Sequence, residues 1–590
     1  MTSRIAAAAL VLFVCSTTVA VAETPRKPNV VVVLSDDQGW GDLSINGNSN
    51  LRTPNLDSLA KNGARFSRFF VQPVCSPTRA EFLTGRYHPR CGVRGVTTGG
   101  ERLNLSESTI ADSFAAAGYA TGCFGKWHNG TQFPYHALGR GFREFYGFTS
   151  GHWGDYFNPP LDHNGKPVTG NGFFADDITD RAIQFIDKNR QGPFFCYVAF
   201  NTPHSPMQVP DAYWNRFANK ELSLLGSAKQ KEDINHTRAA LAMCENLDAN
   251  VGRILKALDQ VNLTNDTIVV YFCDNGPNGA RWNGGMKGRK GSTDEGGVRS
   301  PLHIRWPNRI AAGTEVKSIA AAIDLLPTLV ELTGMSHVGK LPLDGVSLAG
   351  SLISGKSVVS DRILFQHWAG RTSARSQTHR LDSDGKLFDM IADPEQTLDI
   401  AATNPETATS LRSAVAAWRK EALTAIDGKD DRPFLVGAKG FPRTELPARD
   451  GVSFGTIKRS AAAPNCSYFT NWTSPNDRIT WDVEILQPGR HHVEVLHTCE
   501  ATSVGTIVEL SFSGRKIAAK VADVHDPKPH GSANDRVPRA GESLMKEFKP
   551  LVLGELKLPA GRGLLTLTAP KMTGRQAIDV RGLILIPTRD

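Results

Sequence analysis

Four short apolar runs in the first half of the chain each end in polar residues, and this pattern constrains the fold more than any other feature. Segments with helical spacing separate the runs, as expected of βαβ units. Continuous apolar runs are typical of strands that are buried on both faces of a parallel sheet. The sequence therefore predicts an α/β fold with a mostly parallel sheet sandwiched by helices. The runs are NVVVVLSDDQGW, YATGCFGKWHNG, FFCYVAFNTPHSP and TIVVYFCDNGPNG.

The first run ends in the acidic pair Asp36-Asp37, and the last ends in Asp274-Asn275. Ligands of open α/β sheets bind beyond the carboxyl ends of the strands, so these side chains are expected to meet. Oxygen donors without a majority of thiolate or imidazole favour Ca²⁺ or Mg²⁺ over zinc. A surface turn can also carry Asp-Asp, but three carboxylates buried together without a cation would be costly. The metal-site interpretation is therefore favoured.

The other two runs bring basic side chains to the same edge. One ends in Lys126 and His128, which lie two residues apart and face the same side of an extended segment. The other leads to His204. Each residue alone would usually be a surface or core residue, so its significance comes from the expected position beside the acids.

The stretch VCSPTRAEFLTGR contains a lone cysteine, Cys75, directly before Ser-Pro. Ser76 is predicted to be the N-cap of a helix with Pro in its first turn, and Gly85 to end the helix. Cys75 would then lie at a helix N-terminus, which attracts anions. Arg79, one turn further on, could hold Cys75 or an oxyanion.

Together these motifs resemble the type I sulfatases of the alkaline phosphatase superfamily. CSPTR followed by LTGR is similar to the family's C-x-P-x-R…TGR signature, and GKWH, TPHSP, DNG, KGSTDEGGVR and DPEQTLDIA match further blocks in order. The resemblance covers approximately residues 28–425. It departs from the family at Thr78, Cys273 and Arg289, where Ser, Ser and Gly are commoner. It implies an alkaline phosphatase-like fold and a sulfuric ester hydrolase.

The resemblance also implies a role for Cys75. In such enzymes a formylglycine-generating maturation enzyme oxidises the cysteine to an aldehyde. One hydroxyl of the hydrated aldehyde attacks sulfur, and the other permits sulfate to leave as the aldehyde reforms. A divalent cation, Ca²⁺ rather than Mg²⁺, is implied at the same site. Its expected ligands are Asp36, Asp37, Cys75, Asp274 and Asn275.

The basic residues receive roles from the same resemblance. Arg79 and Lys126 would steady the formylglycine hydrate. His128 is the expected base for sulfate release, and His204 the expected acid at the leaving oxygen. Lys290 would neutralise charge on the sulfate.

Some positions near the motifs are less defined by the sequence. Lys290 is preferred to Lys287 because K-G-x-x-x-E-G-G-x-R fits the family spacing. Five residues in Gly-rich loops are candidates for a substrate pocket and equally for ordinary surface or packing positions: His136, His152, Trp153, Arg281 and Trp282.

The N-terminus predicts export. Residues 1–22 have a basic start, an apolar run and an A-x-A site, as in a cleaved signal peptide. The run is too short to span a bilayer, no later segment looks transmembrane, and a periplasmic or secreted protein is expected. An oxidising compartment permits disulfides. Cys466–Cys499 is the one pair expected, and the remaining cysteines are predicted to be buried free thiols.

The pattern along the chain predicts further domains after the catalytic one. The catalytic α/β domain is expected over residues 27–344, a small α+β subdomain over 345–425 and a linker over 426–449. Alternating runs bounded by Gly, Pro and Asn predict an accessory β-sandwich over 450–590. It weakly resembles accessory modules of bacterial polysaccharide-degrading enzymes, and both glycan binding and a packing role are open.

The overall charge helps to choose among functions. The net charge of +8, or +7 once Arg4 is removed with the signal peptide, suits an anionic substrate. Basic runs with interleaved aromatics are absent from the sequence, so no nucleic acid partner is expected. The leading prediction is a sulfatase for sulfated carbohydrates, with aryl sulfates as accompanying substrates. The alternatives are a phosphonate or phosphate ester hydrolase of the same superfamily and a non-catalytic protein that binds sulfated glycans.

Overall fold

The predicted apolar runs form the centre of a ten-stranded sheet. The computed structural model describes residues 26–227, 231–356, 361–441 and 443–588. The five central strands of the sheet run parallel and most outer strands antiparallel, which confirms the predicted α/β class. In order across the sheet the strands are Thr314–Val316, Ala64–Phe66, Leu302–Arg305, Thr267–Cys273, Asn29–Ser35, Phe194–Ala199, Ala120–Lys126, Glu144–Phe148, Pro160–His163 and Lys166–Thr169.

Helices cover both faces of this sheet because each central strand sends alternate residues into two apolar cores. Val31 and Val33 lie in one core, whereas Val32 and Leu34 lie in the other. Helices on the first side are Pro54–Lys61, Phe174–Lys188 and Ile234–Gln260. Those on the second are Cys75–Thr84, Ile110–Ala116, Leu325–Thr333 and Ala349–Ser354. The remaining short helices of this region are Asp211–Trp214 and Glu295–Val298.

Two smaller sheets complete the α/β region. The predicted α+β subdomain contains a four-stranded antiparallel sheet that shares an apolar core with helix Pro405–Ala422. Its strands are Leu364–Trp368, Arg371–Arg375, His379–Leu381 and Leu387–Asp389. A three-stranded sheet consists of Arg299–Ser300, Phe69–Phe70 and Ala320–Ala321.

The C-terminal region is a β-sandwich, as predicted. Two six-stranded sheets enclose one core that includes Trp481, Val495 and Leu567. One sheet contains Phe434–Val436, Val452–Phe454, Arg478–Ile485, Ile507–Phe512, Arg515–Lys520 and Gly561–Lys571. The other contains Thr444–Pro447, Lys458–Arg459, Phe469–Thr470, Gly489–Thr498, Lys549–Leu558 and Asp579–Pro587.

The predicted linker over 426–449 is wrong in part. Phe434–Val436 pairs with a strand of one sheet of the sandwich and Thr444–Pro447 with a strand of the other. These strands have only 3 and 4 residues, and the surrounding prolines and charges hide them in the sequence. The sandwich therefore begins before residue 450, while the division into functional domains stays a prediction.

The expected Cys466–Cys499 disulfide is also wrong, because both cysteines are free and buried. The Cys466 thiol donates to the carbonyl oxygen of His152 at 3.1 Å, and the Cys499 thiol donates to that of Glu500 at 3.3 Å. Cys466 is thus turned toward the α/β region instead of the second cysteine.

The predicted signal peptide, residues 1–22, lies outside the described residues. In the part of the chain that the structure describes, no helix is both long and apolar enough to cross a membrane.

Candidate active site

The ends of two neighbouring strands bring the predicted acids together. Asn29–Ser35 and Thr267–Cys273 pair in parallel, with the last residue of one opposite the last residue of the other. Asp36 and Asp274 therefore leave the sheet side by side. Asp37 has a left-handed φ of 65°, and its backbone N–H donates to Asp274 Oδ1 at 3.2 Å. All three carboxylates are buried.

Arg79 and Lys126 bind two of these acids from different elements. The Arg79 guanidinium donates to Asp274 Oδ2 at 2.8 and 3.1 Å, and also to the Lys126 carbonyl oxygen at 2.7 Å. Lys126 Nζ donates to Asp36 Oδ2 at 2.7 Å. Burial would lower the pKa of Arg79, but Asp274 raises it above the usual range. Burial, with the Asp36 charge, raises the pKa of Asp274 to about 6.

Lys290 binds the third acid, Asp37. Lys290 Nζ lies 2.8 Å from Asp37 Oδ2 and 2.6 Å from Oδ1. Lys287 Nζ instead lies 3.3 Å from Asp294 Oδ1, and the Lys287 side chain is half-exposed. Of the two lysines, the structure therefore places Lys290 beside the acids. Burial would raise the pKa of Asp37, but the Lys290 charge holds it below its usual value.

The donor set fits a hard divalent cation. Among the described residues, the buried oxygens Asp36 Oδ1 and Asn275 Oδ1 have no hydrogen-bond partner. Asn275 Nδ2 donates to Asp37 Oδ1 at 2.9 Å, which fixes the amide orientation. Ligand atoms of Asp36, Asp37, Cys75 and His204 all lie within 4.8 Å of one another. Unpaired buried oxygens are costly, and Ca²⁺ or Mg²⁺ would satisfy them.

Cys75 is the first residue of its helix and is 3% exposed. The predicted Ser76 cap is wrong, because Val74 is the N-cap and Ser76 is already helical. The predicted end is right, since Gly85 closes the helix with a φ of 69°. Burial raises the pKa of the Cys75 thiol to about 12. The unmodified thiol is therefore protonated at neutral pH and a poor nucleophile.

His128 has a free lone pair at this edge. It follows strand Ala120–Lys126 with a φ of 62°. Because a carbonyl oxygen only accepts, the 2.7 Å contact with Val96 O places the proton on His128 Nε2. Nδ1 is buried and unpartnered within the described ranges. Burial and the Lys126 charge hold the His128 pKa well below its usual value, so the ring is neutral.

His204 also lies beside the acid cluster. Its Nδ1 donates to the Ser205 carbonyl oxygen at 2.6 Å, and its Nε2 lies 3.7 Å from Asp37 Oδ2. Burial and the Lys290 charge lower the His204 pKa to about 4, although Asp37 opposes them. At neutral pH the ring is therefore neutral. Because Nδ1 holds the one proton, Nε2 carries none.

The five loop residues that were candidates for a substrate pocket have different surroundings in the structure. The His152 ring stacks on His204 with centroids 5.8 Å apart. Arg281 instead supports the backbone, because it donates to Asp42 and to the Asp37 carbonyl oxygen at 2.9 Å. Trp153 stacks on Phe148, away from this ring pair. His136 lies 3.5 Å from Asp162, and the Trp282 ring lies beside Gly47, where an added Cβ atom would be 3.8 Å from it.

The sequence prediction missed three polar residues near the site. Asn201 is buried, and its side chain interacts with the Tyr156 hydroxyl. Its position just after a strand was an available signal. Asn465 and Glu542 come from the C-terminal region and contact His152 and Ser205 respectively. Nothing local in the sequence indicates these contacts, because they join segments far apart in the chain.

Comparisons with known proteins agree with this arrangement. N-acetylgalactosamine-6-sulfatase of Mus musculus is 31% identical over 410 residues, which cover 63% of this chain and 74% of that protein. Arylsulfatase A of Homo sapiens is 34% identical over 373 residues, covering 56% of this chain and 69% of that protein. The structure of Ps i-CgsB in complex with k-i-k-neocarrahexaose matches with a TM-score of 0.60 and 29% identity, covering 67% and 93% of the two chains.

The family assignment follows from the extent of the matches. The family model described as Sulfatase matches residues 28–335, more than half of the chain. These residues contain every member of the acid cluster and the basic residues that surround it. The expected alkaline phosphatase-like fold class agrees with the structural match. The chain belongs to the sulfatase family of sulfuric ester hydrolases.

Proposed function

We propose that this sulfatase hydrolyses sulfate esters of carbohydrates with a formylglycine derived from Cys75 and a divalent cation, Ca²⁺ rather than Mg²⁺. The observation that carries the proposal is the placement of the Cys75 thiol within 4.8 Å of ligand atoms from Asp36, Asp37 and His204. A buried thiol with a raised pKa is inert by itself, but the position is suited to a modified side chain.

The cation would be held by side chains from three elements. Its ligands would be Asp36, Asp37, Asp274, Asn275 and the modified Cys75. The bound cation supplies charge that polarises the sulfate group and favours the ionised nucleophile. The hydrated aldehyde supplies a nucleophile and a second hydroxyl, which permits the release of sulfate. Arg79 and Lys126 keep the carboxylates and Cys75 in place through their buried ion pairs.

The two histidines would move protons on opposite sides of the sulfate. His128 Nδ1 has the free lone pair required of a base during sulfate release. His204 must first gain a proton on Nε2 before it can donate to the leaving oxygen. The negative charge of a bound sulfate ester favours that protonation. Lys290 offsets charge on the sulfate from the partly open side of the site.

Two lines of support favour a carbohydrate as the alcohol. One related protein is named an N-acetylgalactosamine-6-sulfatase, and the matched Ps i-CgsB structure contains a neocarrahexaose. The basic net charge also suits an anionic substrate. The proposal includes export by the predicted signal peptide to the periplasm or outside the cell, and maturation by a formylglycine-generating enzyme.

Sulfate release from a defined panel tests the proposal. The panel contains 4-nitrophenyl sulfate, N-acetylgalactosamine 6-sulfate, glucosamine 6-sulfate and k-i-k-neocarrahexaose. We expect release from the aryl ester and from at least one sugar by protein matured together with a formylglycine-generating enzyme. Mass spectrometry of the peptide that contains Cys75 should show an aldehyde. Protein from which chelator has removed metal should lose activity and thermal stability, and Ca²⁺ should restore both better than Mg²⁺.

Two other outcomes would replace the proposal. A higher kcat/KM for an aryl phosphonate ester than for the matched aryl sulfate would indicate a phosphonate hydrolase. Binding of sulfated oligosaccharides by fully matured protein, without any sulfate release, would indicate a non-catalytic binding protein.

A further inference from the structure

A turn of the C-terminal sandwich contacts the wall of the active site. The turn is Pro464–Cys466, and it contacts the segment 150–152 of the α/β region. Ser150 Oγ donates to the Asn465 carbonyl oxygen at 3.0 Å. The Cys466 thiol donates to the His152 carbonyl oxygen at 3.1 Å. This segment therefore takes its conformation from a region that the sulfatase family model does not match.

The side-chain amide of Asn465 has one orientation. The backbone N–H of Gly151, which can only donate, lies 3.2 Å from Asn465 Oδ1. The other amide atom, Nδ2, lies 3.0 Å from His152 Nδ1. Reversing the amide would place two donors against each other at Gly151. Asn465 thus donates to His152 Nδ1, which must be the unprotonated nitrogen of the ring.

The remaining nitrogen of His152 is a buried N–H on a ring that lies beside the active site. Because Nδ1 accepts, the neutral ring carries its proton on Nε2. His152 is 4% exposed, and its Nε2 has no hydrogen-bond partner within the described part of the chain. The ring stacks on His204 and interacts electrostatically with the Glu542 charge, and less strongly with those of Lys126 and Lys290. A buried donor without a partner costs about 1–3 kcal/mol, so its retention here suggests that a ligand accepts from it.

The same side of the site receives a second contribution from the sandwich. Ser205, which follows His204 directly, donates its hydroxyl proton to Glu542. Gln208 Nε2 donates to the Gly531 carbonyl oxygen at 2.6 Å. The sandwich therefore contacts both segments that carry the stacked histidines, including that of His204, the proposed acid at the leaving oxygen.

We propose that His152 Nε2–H binds an oxygen of the alcohol part of the substrate, a sugar hydroxyl or ring oxygen beside the scissile ester, and that Asn465 of the sandwich is the residue that positions it. The sandwich then acts in substrate selection, in addition to any role in packing. This inference rests on the sulfatase activity on carbohydrates proposed above.

The close approach of two side chains to Gly151 supports this arrangement. A Cβ atom at Gly151 would lie 2.7 Å from His128 Nε2 and 2.8 Å from Asn465 Nδ2. Both distances are shorter than a relaxed contact, so a side chain at position 151 would displace His128 or Asn465 from its place. The turn is thereby held next to a residue assigned to proton transfer.

Steady-state kinetics of His152 and Asn465 variants test the inference. His152→Phe keeps an aromatic ring that can stack on His204 but has no N–H, and Asn465→Leu removes the amide that orients the ring. We expect either change to raise KM for N-acetylgalactosamine 6-sulfate or k-i-k-neocarrahexaose roughly tenfold while kcat changes little. Both variants should lose less kcat/KM on 4-nitrophenyl sulfate than on the sugar esters, because that alcohol has no hydroxyl beside the ester.

Three further variants separate positioning from general packing. His152→Gln supplies an N–H donor again and should recover part of the KM. The double variant of His152→Phe with Asn465→Leu should be no worse than His152→Phe alone, because Asn465 acts through His152. Asp211→Asn is the matched control, since it removes a 2.5 Å bond to Arg536 of the sandwich at an exposed site. It should leave kcat and KM unchanged for the aryl ester and for the sugar esters.

The outcomes distinguish this inference from the proposed function. Equal losses on the aryl and sugar esters, additive effects in the double variant, or unchanged sugar kinetics would overturn the role of His152 and Asn465 while leaving the sulfatase proposal intact. Wild-type protein that cleaves the aryl ester but neither sugar also counts against it. A matured wild type that releases no sulfate from any ester removes the proposed function itself, and this inference with it.

Discussion

The α/β region and the C-terminal sandwich differ in where they place their polar groups. Strand Asn29–Ser35 is buried at every position, and the ionic cluster begins at the next residue. Strand Lys549–Leu558 of the sandwich alternates between buried and accessible positions. The core of the sandwich is built from apolar side chains such as Trp481 and Leu567.

This difference follows from the number of faces that each sheet buries. A strand covered by helices on both sides has no solvent-facing position, so its polar residues collect at its ends. A sandwich strand has one outer face, and its polar residues spread along its length. Parallel strands that end together therefore concentrate charged side chains at one edge of the sheet, where buried ion pairs and a cation can neutralise them.

The largest expected contrast concerns the buried cysteines of the two regions. Cys75→Ala should reduce sulfate release on the order of 10⁴-fold or more, because the nucleophile is lost. Cys499→Ala, at a buried position of the sandwich, should leave kcat/KM unchanged. Circular dichroism should show both variants folded. Substantial activity in matured Cys75→Ala protein would mean that another residue is the nucleophile.

The next contrast concerns a buried charge. Arg79→Met should lower the free energy of unfolding by about 3–5 kcal/mol, because Asp274 then loses its buried partner. Activity should fall with it. Asp482→Asn breaks an exposed ion pair of the sandwich with Arg562, and should change neither quantity measurably. Urea denaturation and kinetics measure both effects, and equal losses in the two variants would contradict the contrast.

Deletion of the same apolar group in each region tests how far stability and activity are linked. Leu34 and Leu567 are both fully buried, so each Leu→Ala change should cost about 2–5 kcal/mol of unfolding free energy. Leu34→Ala should also reduce activity, since Leu34 lies two residues before Asp36. Leu567→Ala should retain full activity on 4-nitrophenyl sulfate at temperatures where it is folded. A loss of activity in Leu567→Ala would show that the chemistry depends on the whole sandwich.

The sequence predicts the α/β edge better than it predicts the sandwich, for the same physical reason. Continuous apolar runs that end in Asp-Asp and Asp-Asn are local signals, and they anticipated both the sheet and the acid cluster. The strands Phe434–Val436 and Thr444–Pro447 were missed because short edge strands leave little periodicity to detect. The contact between Asn465 and His152 spans 313 residues of chain, so no local pattern could indicate it.

The smallest expected contrast concerns how strongly a buried histidine of each region makes the free energy of unfolding depend on acid pH. Burial lowers the pKa of His88 in the α/β region to about 4, from an ordinary value of 6.5. The unfolded chain therefore binds a proton below pH 6.5 that the folded protein does not bind until the pH reaches about 4. The stability contribution of neutral His88 is complete above pH 6.5 and is lost as the pH falls toward 4.

Each such proton adds a slope of about 1.4 kcal/mol per pH unit to the free energy of unfolding. His88→Gln has no imidazole to titrate, so the slope between pH 6.5 and 4 should fall by the contribution of one proton. This holds even if the lost hydrogen bond to Val93 lowers the free energy of unfolding at neutral pH. His491 of the sandwich has a pKa lowered by partial burial, and His491→Gln is the matched variant. Urea denaturation across this range should show the larger change of slope for His88→Gln. An equal or larger change for His491→Gln would show that the buried histidine that makes the protein sensitive to acid lies in the sandwich. The slope can show this because it depends only on the protons that the folded and unfolded states bind differently.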